Sequence, residues 1–246
     1  MKRTFTFFIC ILPFSFLKPF LLNLLGHKIS SKSKIGFSCL FVKDLLLEDF
    51  SHIGSFNIIF CNKVLLKERA SIKKLNYIKG PIEIVISERA SIQFLNELKK
   101  SSLVENNTHC SELFLGKNSF ITRGNYVDLT RSVFIGENSI LAGKGSQLWT
   151  HGFYHADKGP ERIRIDGSIT IGDNVYVGSR CTFNPGVSVG NSIHIGAGTI
   201  ISKNLDKPGM YVGQGLRHIE NSLDKIKSKL EFSHKHPLGN DIYIKD

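Results

Sequence analysis

The sequence predicts an all-β chain built as one parallel β-helix, a coil of short strands, with a short helical segment before it and a helix after it. Three observations lead there. Apolar residues recur every six positions through Ile165, Ile171, Val177, Phe183, Val189, Ile195 and Ile201. The residues directly after the first six are Asp166, Gly172, Gly178, Asn184, Gly190 and Gly196, and four places after each stand Ile169, Val175, Cys181, Val187, Ile193 and Thr199. Within each unit apolar residues alternate, as in Ile169-Thr170-Ile171, although a period of six fits neither an α-helix nor a hairpin. A narrow prism reconciles the two rhythms. Each beat residue points inward, and the next is expected to turn a corner, where Gly, Asn and Asp take unusual backbone angles at least cost. Stacked coils then bury one another's faces.

Composition agrees with one domain carrying appendages: 246 residues, 41% apolar, 22% charged and no low-complexity tract. Disorder, collagen and a multi-span membrane protein are excluded. Many of the 22 glycines directly follow Ile, Val or Leu, as a repeat requires. The five cysteines, Cys10, Cys39, Cys61, Cys110 and Cys181, have no CxxC or CxH spacing, so neither a disulfide framework nor a zinc site is indicated and a reduced, cytoplasmic compartment is the natural reading. Lys and Arg number 32 against 21 Asp and Glu, a formal charge of +11. That excess suits anionic lipid or a phosphorylated small molecule; the basic residues lack the aromatic interleaving of nucleic-acid modules.

In chain order, the sequence divides at residues 1–34, 35–219 and 220–246. Residues 4–25 are apolar and aromatic but interrupted by Pro13, Lys18 and Pro19. The part free of charged residues, 4–17, is 14 residues, shorter than the roughly 20 that a spanning helix needs. Lys2 and Arg3 precede the apolar run as in a signal peptide, yet no small-x-small cleavage site follows. Two further readings stay open: short helices lying on lipid with Lys2, Arg3, Lys18, Lys28, Lys32 and Lys34 facing anionic head groups, or a helix capping the end of the fold. From Ile35 to Leu141 the beat is imperfect. One register runs Leu47, Ile53, Ile59, Leu65, another Leu115, Ile121, Val127, Val133, and a third Ile135, Leu141, so bulges or loops are expected at the slips. Residues 222–232 read as an amphipathic helix with Leu223, Ile226 and Leu230 on one face.

The pattern resembles the hexapeptide-repeat acetyltransferases of the colanic-acid, galactoside and maltose type, most closely from Leu115 to Ile219. The resemblance implies a left-handed β-helix with three hexapeptides per coil, a homotrimer with active sites between subunits, acetyl-CoA as co-substrate and no metal. Thr150-His151 followed by Ile171-Gly172-Asp173-Asn174-Val175-Tyr176-Val177-Gly178 matches the stretch that carries the family's catalytic histidine. His151 lies in the main break of the rhythm, residues 144–164, together with Trp149, Tyr154, His155 and Asp157. A histidine suits the chemistry. The thioester is already activated, and a side chain with pKa near ~6.5 takes the acceptor's proton and returns it to the leaving thiolate.

The same resemblance implies roles for other positions. Asp128, Trp149 and His155 are expected to bind or orient the acceptor. Ser179, Ala197, Ser202, Lys203 and Arg217 are expected to bind the cofactor, with Lys203 and Arg217 on its phosphates. Gly215 stands where the family usually has proline before that basic residue. Asn184-Pro185-Gly186-Val187 matches a family motif that reads as a corner. The implied function is acetyl transfer to a sugar hydroxyl in surface polysaccharide assembly, at the cytoplasmic face of a membrane. Alternatives are N-acetylation of an amino sugar, a γ-type carbonic anhydrase using His151, His155 and His194, and a non-catalytic β-helix scaffold.

Overall fold

The structure is a computed structural model, and it describes residues 1–100, 110–155, 162–213, 231–235 and 241–244. Residues 1–213 and 214–246 form separate compact units. The first is a parallel β-solenoid. A nine-stranded parallel sheet makes one face, and a fourteen-stranded sheet makes two more, its branches joined through the long strands Cys39–Leu47 and Ile58–Leu66, which run across a corner.

Register explains the core. In the nine-stranded sheet, Ile53, Ile72, Ile92, Ile121, Leu141, Val177 and Ile195 stand directly above one another, and all are fully or almost fully buried. Successive members of this column lie 19, 20, 29, 20, 36 and 18 residues apart. The last interval is three strict hexapeptides. Coils of 19 or 20 carry extra corner residues, which is why the beat slips in the N-terminal half, and the two long intervals contain insertions. Leu65, expected on the beat, is half-buried, while Val64 and Leu66 take the inward positions. Ile165 is also displaced. It lies half-exposed in an antiparallel hairpin opposite Gly152, so the inward rhythm begins at Ile169 and Ile171.

The corners work differently from the expectation. Positive φ falls three residues after each beat, at Asn174, Arg180, Gly186, Ser192 and Gly198, and not directly after it. Glycine follows the beat for a different reason, close approach between coils. A Cβ at Gly178 would lie 2.6 Å from the backbone N of Ala197 one coil below.

One interior corner is tied by a ladder of buried asparagines. Asn76 N donates to Asn57 Oδ1 (2.9 Å), Asn96 N to Asn76 Oδ1 (3.0 Å), Asn125 N to Asn96 Oδ1 (2.9 Å) and Ser146 N to Asn125 Oδ1 (3.0 Å). Each side chain thereby satisfies a backbone donor that the turn leaves without a ladder partner.

Helices α1 (Lys2–Cys10) and α2 (Lys18–Leu24) lie against the first coil, burying Thr6, Cys10, Lys18 and Leu22. Lys18 corrects the expectation that it faces lipid. Its Nζ donates to Cys10 O and Gly36 O, each at 2.7 Å, and so joins both helices to the first turn of the solenoid. Burial holds the Lys18 ammonium below its ordinary pKa and pushes the Cys10 thiol up to about 12. Among the described residues no helix is long and apolar enough to cross a membrane.

In the second unit, Glu231–Lys235 pairs antiparallel with Asp241–Ile244. Residues 222–230 of the expected terminal helix lie outside the described residues. Its expected last two residues, Glu231 and Phe232, belong to a strand, so the helix does not reach that end.

Candidate active site

The break in the rhythm is a hairpin inserted into one corner. Strand His151–His155 pairs with Arg162–Asp166, and the neck is closed where Gly167 N donates to Thr150 O at 2.9 Å. Beneath the neck a Cβ on Gly167 would come within 2.5 Å of Gly186 Cα, so this coil closes only with glycine there. Asn184-Pro185-Gly186-Val187 supplies the corner below, with Gly186 at φ +79°. Antiparallel pairing sorts the side chains. His151 opposite Asp166 and Phe153 opposite Arg164 share one face, and Tyr154, Ile163 and Ile165 share the other.

His151 is anchored at its base. Its Nδ1 lies 2.7 Å from Oδ2 of Asp128, which is 1% exposed. Thr150 N and Oγ1 also donate to Oδ2, at 2.9 and 2.7 Å, and Thr130 N and Oγ1 donate to Oδ1, at 3.1 and 2.8 Å. Five donors therefore converge on one buried carboxylate, which leaves no face for an acceptor. Asp128, expected to bind the acceptor, is instead the group that orients His151. An ionised acceptor at Nδ1 selects the tautomer with the proton on Nδ1 and a lone pair on Nε2. The His151 side chain is 17% exposed, and Nε2 has no hydrogen-bond partner among the described residues.

Trp149 stands beside this pair. Its ring lies 4.8 Å from Tyr126 and 6.2 Å, edge-on, from His151, and its indole N–H donates to Gln147 Oε1 at 2.9 Å. Phe153 also meets the imidazole edge-on, at 6.1 Å. Two aromatic rings thus adjoin the histidine, a composition that accepts the apolar face of a sugar ring. Burial and the neighbouring Asp128 charge raise the Tyr126 phenol above its usual pKa. His155 lies in the hairpin strand, and its side chain is outside the described residues.

Sequence reasoning missed the charged group next to His151. Asp166, read as a corner residue, accepts from Arg164 Nε at 2.6 Å and faces Arg131 Nε at 3.7 Å. One terminal nitrogen of Arg164 is buried with no hydrogen-bond partner. Two cations share one carboxylate, so this trio carries one net positive charge, opposite in sign to the Asp128 carboxylate at His151 Nδ1. The alternating His151-x-Phe153 and Arg164-x-Asp166, on either side of Gly159-Pro160, was the hairpin signal available in the sequence.

The expected cofactor residues fall into two places. Ser179 and Ala197 stack on successive coils at one corner, where Gly198 N donates to Ser179 O at 2.8 Å. Gly143 stands above them, and the Ser179 hydroxyl occupies the space that a side chain there would take. Exposed Lys144 and Arg180, not singled out in the sequence, flank this column of small residues, with Arg180 N donating to Lys144 O at 3.1 Å. Gln147–Leu148 runs from this corner to the His151 corner, so both bound the same face of the prism. Ser202 and Lys203 are exposed near the last coil, and Arg217 lies outside the described residues. Among the described residues no group of three or more His, Cys, Asp or Glu could hold a metal ion. His194 points outward, stacked on Tyr176 with centroids 4.5 Å apart.

The family model described as "Hexapeptide repeat of succinyl-transferase" matches residues 168–203. The chain is 29% identical to galactoside O-acetyltransferase of Escherichia coli (strain K12) over 117 residues, 48% of this chain and 58% of that protein. The chain thus spans little more than half the length of that curated relative. A crystal structure of a maltose O-acetyltransferase from Clostridium difficile 630 aligns over 54% of this chain and 67% of its own, at 23% identity and TM-score 0.41. The polysialic acid O-acetyltransferase OatWY aligns over 82% and 92%, at 16% identity and TM-score 0.47. Over the matched repeat and the aligned stretch, this parallel solenoid is similar to the hexapeptide-repeat acetyltransferases.

Proposed function

We propose that the protein transfers an acetyl group from acetyl-CoA to a hydroxyl of a sugar acceptor in surface polysaccharide assembly, with His151 as the general base. The observation that carries this reading is the 2.7 Å contact between Asp128 Oδ2 and His151 Nδ1, which leaves Nε2 free beside aromatic faces. Nε2 takes the hydroxyl proton as the acceptor oxygen attacks the thioester carbonyl. The tetrahedral intermediate collapses with cleavage of the C–S bond, and the same proton passes from Nε2 to the departing thiolate. The products are a sugar acetate and free CoA, with no acyl-enzyme. Asp128 stays ionised throughout and stabilises the imidazolium that forms between the two proton transfers.

The donor would run along the face between the two corners, with its phosphates near Lys144 and Arg180. The cationic Arg131–Asp166–Arg164 group beside the base favours an acceptor glycan that bears acidic groups. The apolar hairpin face, with Tyr154, Ile163 and Ile165 exposed, supports a homotrimer in which it packs against a neighbouring subunit. The test is an acceptor screen with labelled acetyl-CoA, setting acidic against neutral glycans and amino sugars. Labelled O-acetyl ester on a glycan, formed faster on acidic acceptors, agrees with the reading. Label appearing as amide on amino sugars alone, or no transfer to any glycan, contradicts it.

A further inference from the structure

The N-terminal helices bury one side and leave aromatic rings on the other. Phe8 on α1, Phe14 and Phe16 between the helices, and Phe20 on α2 are all more than half exposed, Phe16 at 75%. Beside them the first turns of the solenoid add Phe37 and Phe56, exposed and packed together with ring centroids 6.1 Å apart. Lys18 Nζ, bonded to Gly36 O, places the start of α2 next to Phe37, so the apolar surface continues from helix to coil.

Charge indicates the occupant. Residues 1–43 contain seven Lys and Arg and no Asp or Glu. Three of these, Lys28, Lys34 and Lys43, are exposed and form no ion pair among the described residues. Aromatic rings supply insertion at the boundary between head groups and acyl chains, and unneutralised lysines add attraction to an anionic surface. A second copy of this chain would bring an equally basic face to meet this one.

We propose that this face docks on an anionic lipid bilayer. α1 and α2 lie in the interface, Phe16 and Phe20 are inserted, and the solenoid stands off the surface. The proposal is independent of the acetyl-transfer reading. It makes the protein peripheral, held by aromatic burial and basic charge together. The test is cosedimentation of the full chain with vesicles of phosphatidylcholine alone and of phosphatidylcholine with 30% phosphatidylglycerol, repeated with the double variant Phe16→Ser/Phe20→Ser. Both substituted side chains are exposed, so melting temperature and elution volume should stay those of the parent. The expected result is binding to the anionic vesicles at 0.1 M salt, at least tenfold weaker at 0.5 M salt and at least tenfold weaker for the variant. Equal sedimentation of parent and variant, no sedimentation of either, or a variant whose loss appears as a smaller assembly in vesicle-free solution would each overturn the proposal.

Discussion

Asp128 and His151 are 23 residues apart in sequence and 2.7 Å apart in space, joined across the corner from which the hairpin springs. The carboxylate reaches the imidazole because Thr130 and Thr150 fix both of its oxygens with backbone and hydroxyl donors. Orientation of the imidazole is therefore built into the coil.

Replacement of Asp128 by Asn tests that coupling. An amide can keep most of the Thr contacts, but its N–H₂ group facing Nδ1 favours the tautomer with Nε2 protonated. The expected outcome is a fall in kcat of about 10²-fold or more, with the KM for acetyl-CoA little changed. A loss confined to KM would show that Asp128 acts on binding and not on the base.

The apolar hairpin face should govern assembly. Tyr154→Asp with Ile165→Asp places two charges on a surface that the proposed trimer buries. Light scattering should show the mass shifting from three chains toward one. An unchanged mass would remove the hairpin from the interface.

Stability should depend on pH through the N-terminal cap. His27 accepts from Leu45 N at Nδ1 (3.2 Å) and meets Thr6 Oγ1 at Nε2 (2.7 Å), an arrangement satisfied by the neutral ring. Burial, and secondarily Lys2, lowers its pKa from 6.5 to about 4. The unfolded chain binds this proton first. The contribution is therefore complete above pH 6.5 and is lost as pH falls toward 4. His52 moves in the same direction, through burial and then Lys73, Lys34 and Lys74. Melting temperature should drop across that window, and His27→Gln should flatten the slope. A parent protein equally stable at pH 7 and pH 4.5 would refute the linkage.

The asparagine ladder predicts a core effect without any loss of apolar contact. Asn96 accepts from Asn125 N and donates to Thr122 O at 2.7 Å, so Asn96→Ala removes the side-chain partner of the buried Asn125 N and of the part-buried Thr122 O. Denaturant unfolding should show a loss of about 2–4 kcal/mol, with each orphaned group costing about 1–3 kcal/mol. A loss below 0.5 kcal/mol would mean that water replaces the side chain.

Much of the fold was legible because inward position and beat coincide. Ile171, Val177, Phe183, Val189, Ile195 and Ile201 are all buried, as their spacing requires. Leu65 and Ile165 misled because a six-residue spacing reports direction only while the corners keep constant length. One extra corner residue moves Leu65 outward, and a whole hairpin intervenes before Ile169. The placement of His151 in the break was legible from Thr150-His151 ahead of the strict coils. The role of Asp128 was not, because whether a carboxylate faces an acceptor or an imidazole depends on how two coils stack. Asp166 was hidden for the same reason as Ile165: taken as part of the repeat, it belongs to the insertion, while Arg164 lay within the break but was not singled out.

Acetyl transfer by His151→Ala tests the central claim most directly. With an acceptor identified by the screen, the account predicts at least about a hundredfold loss of turnover, while acetyl-CoA binding and assembly mass stay those of the parent. Turnover within a fewfold of the parent would contradict it.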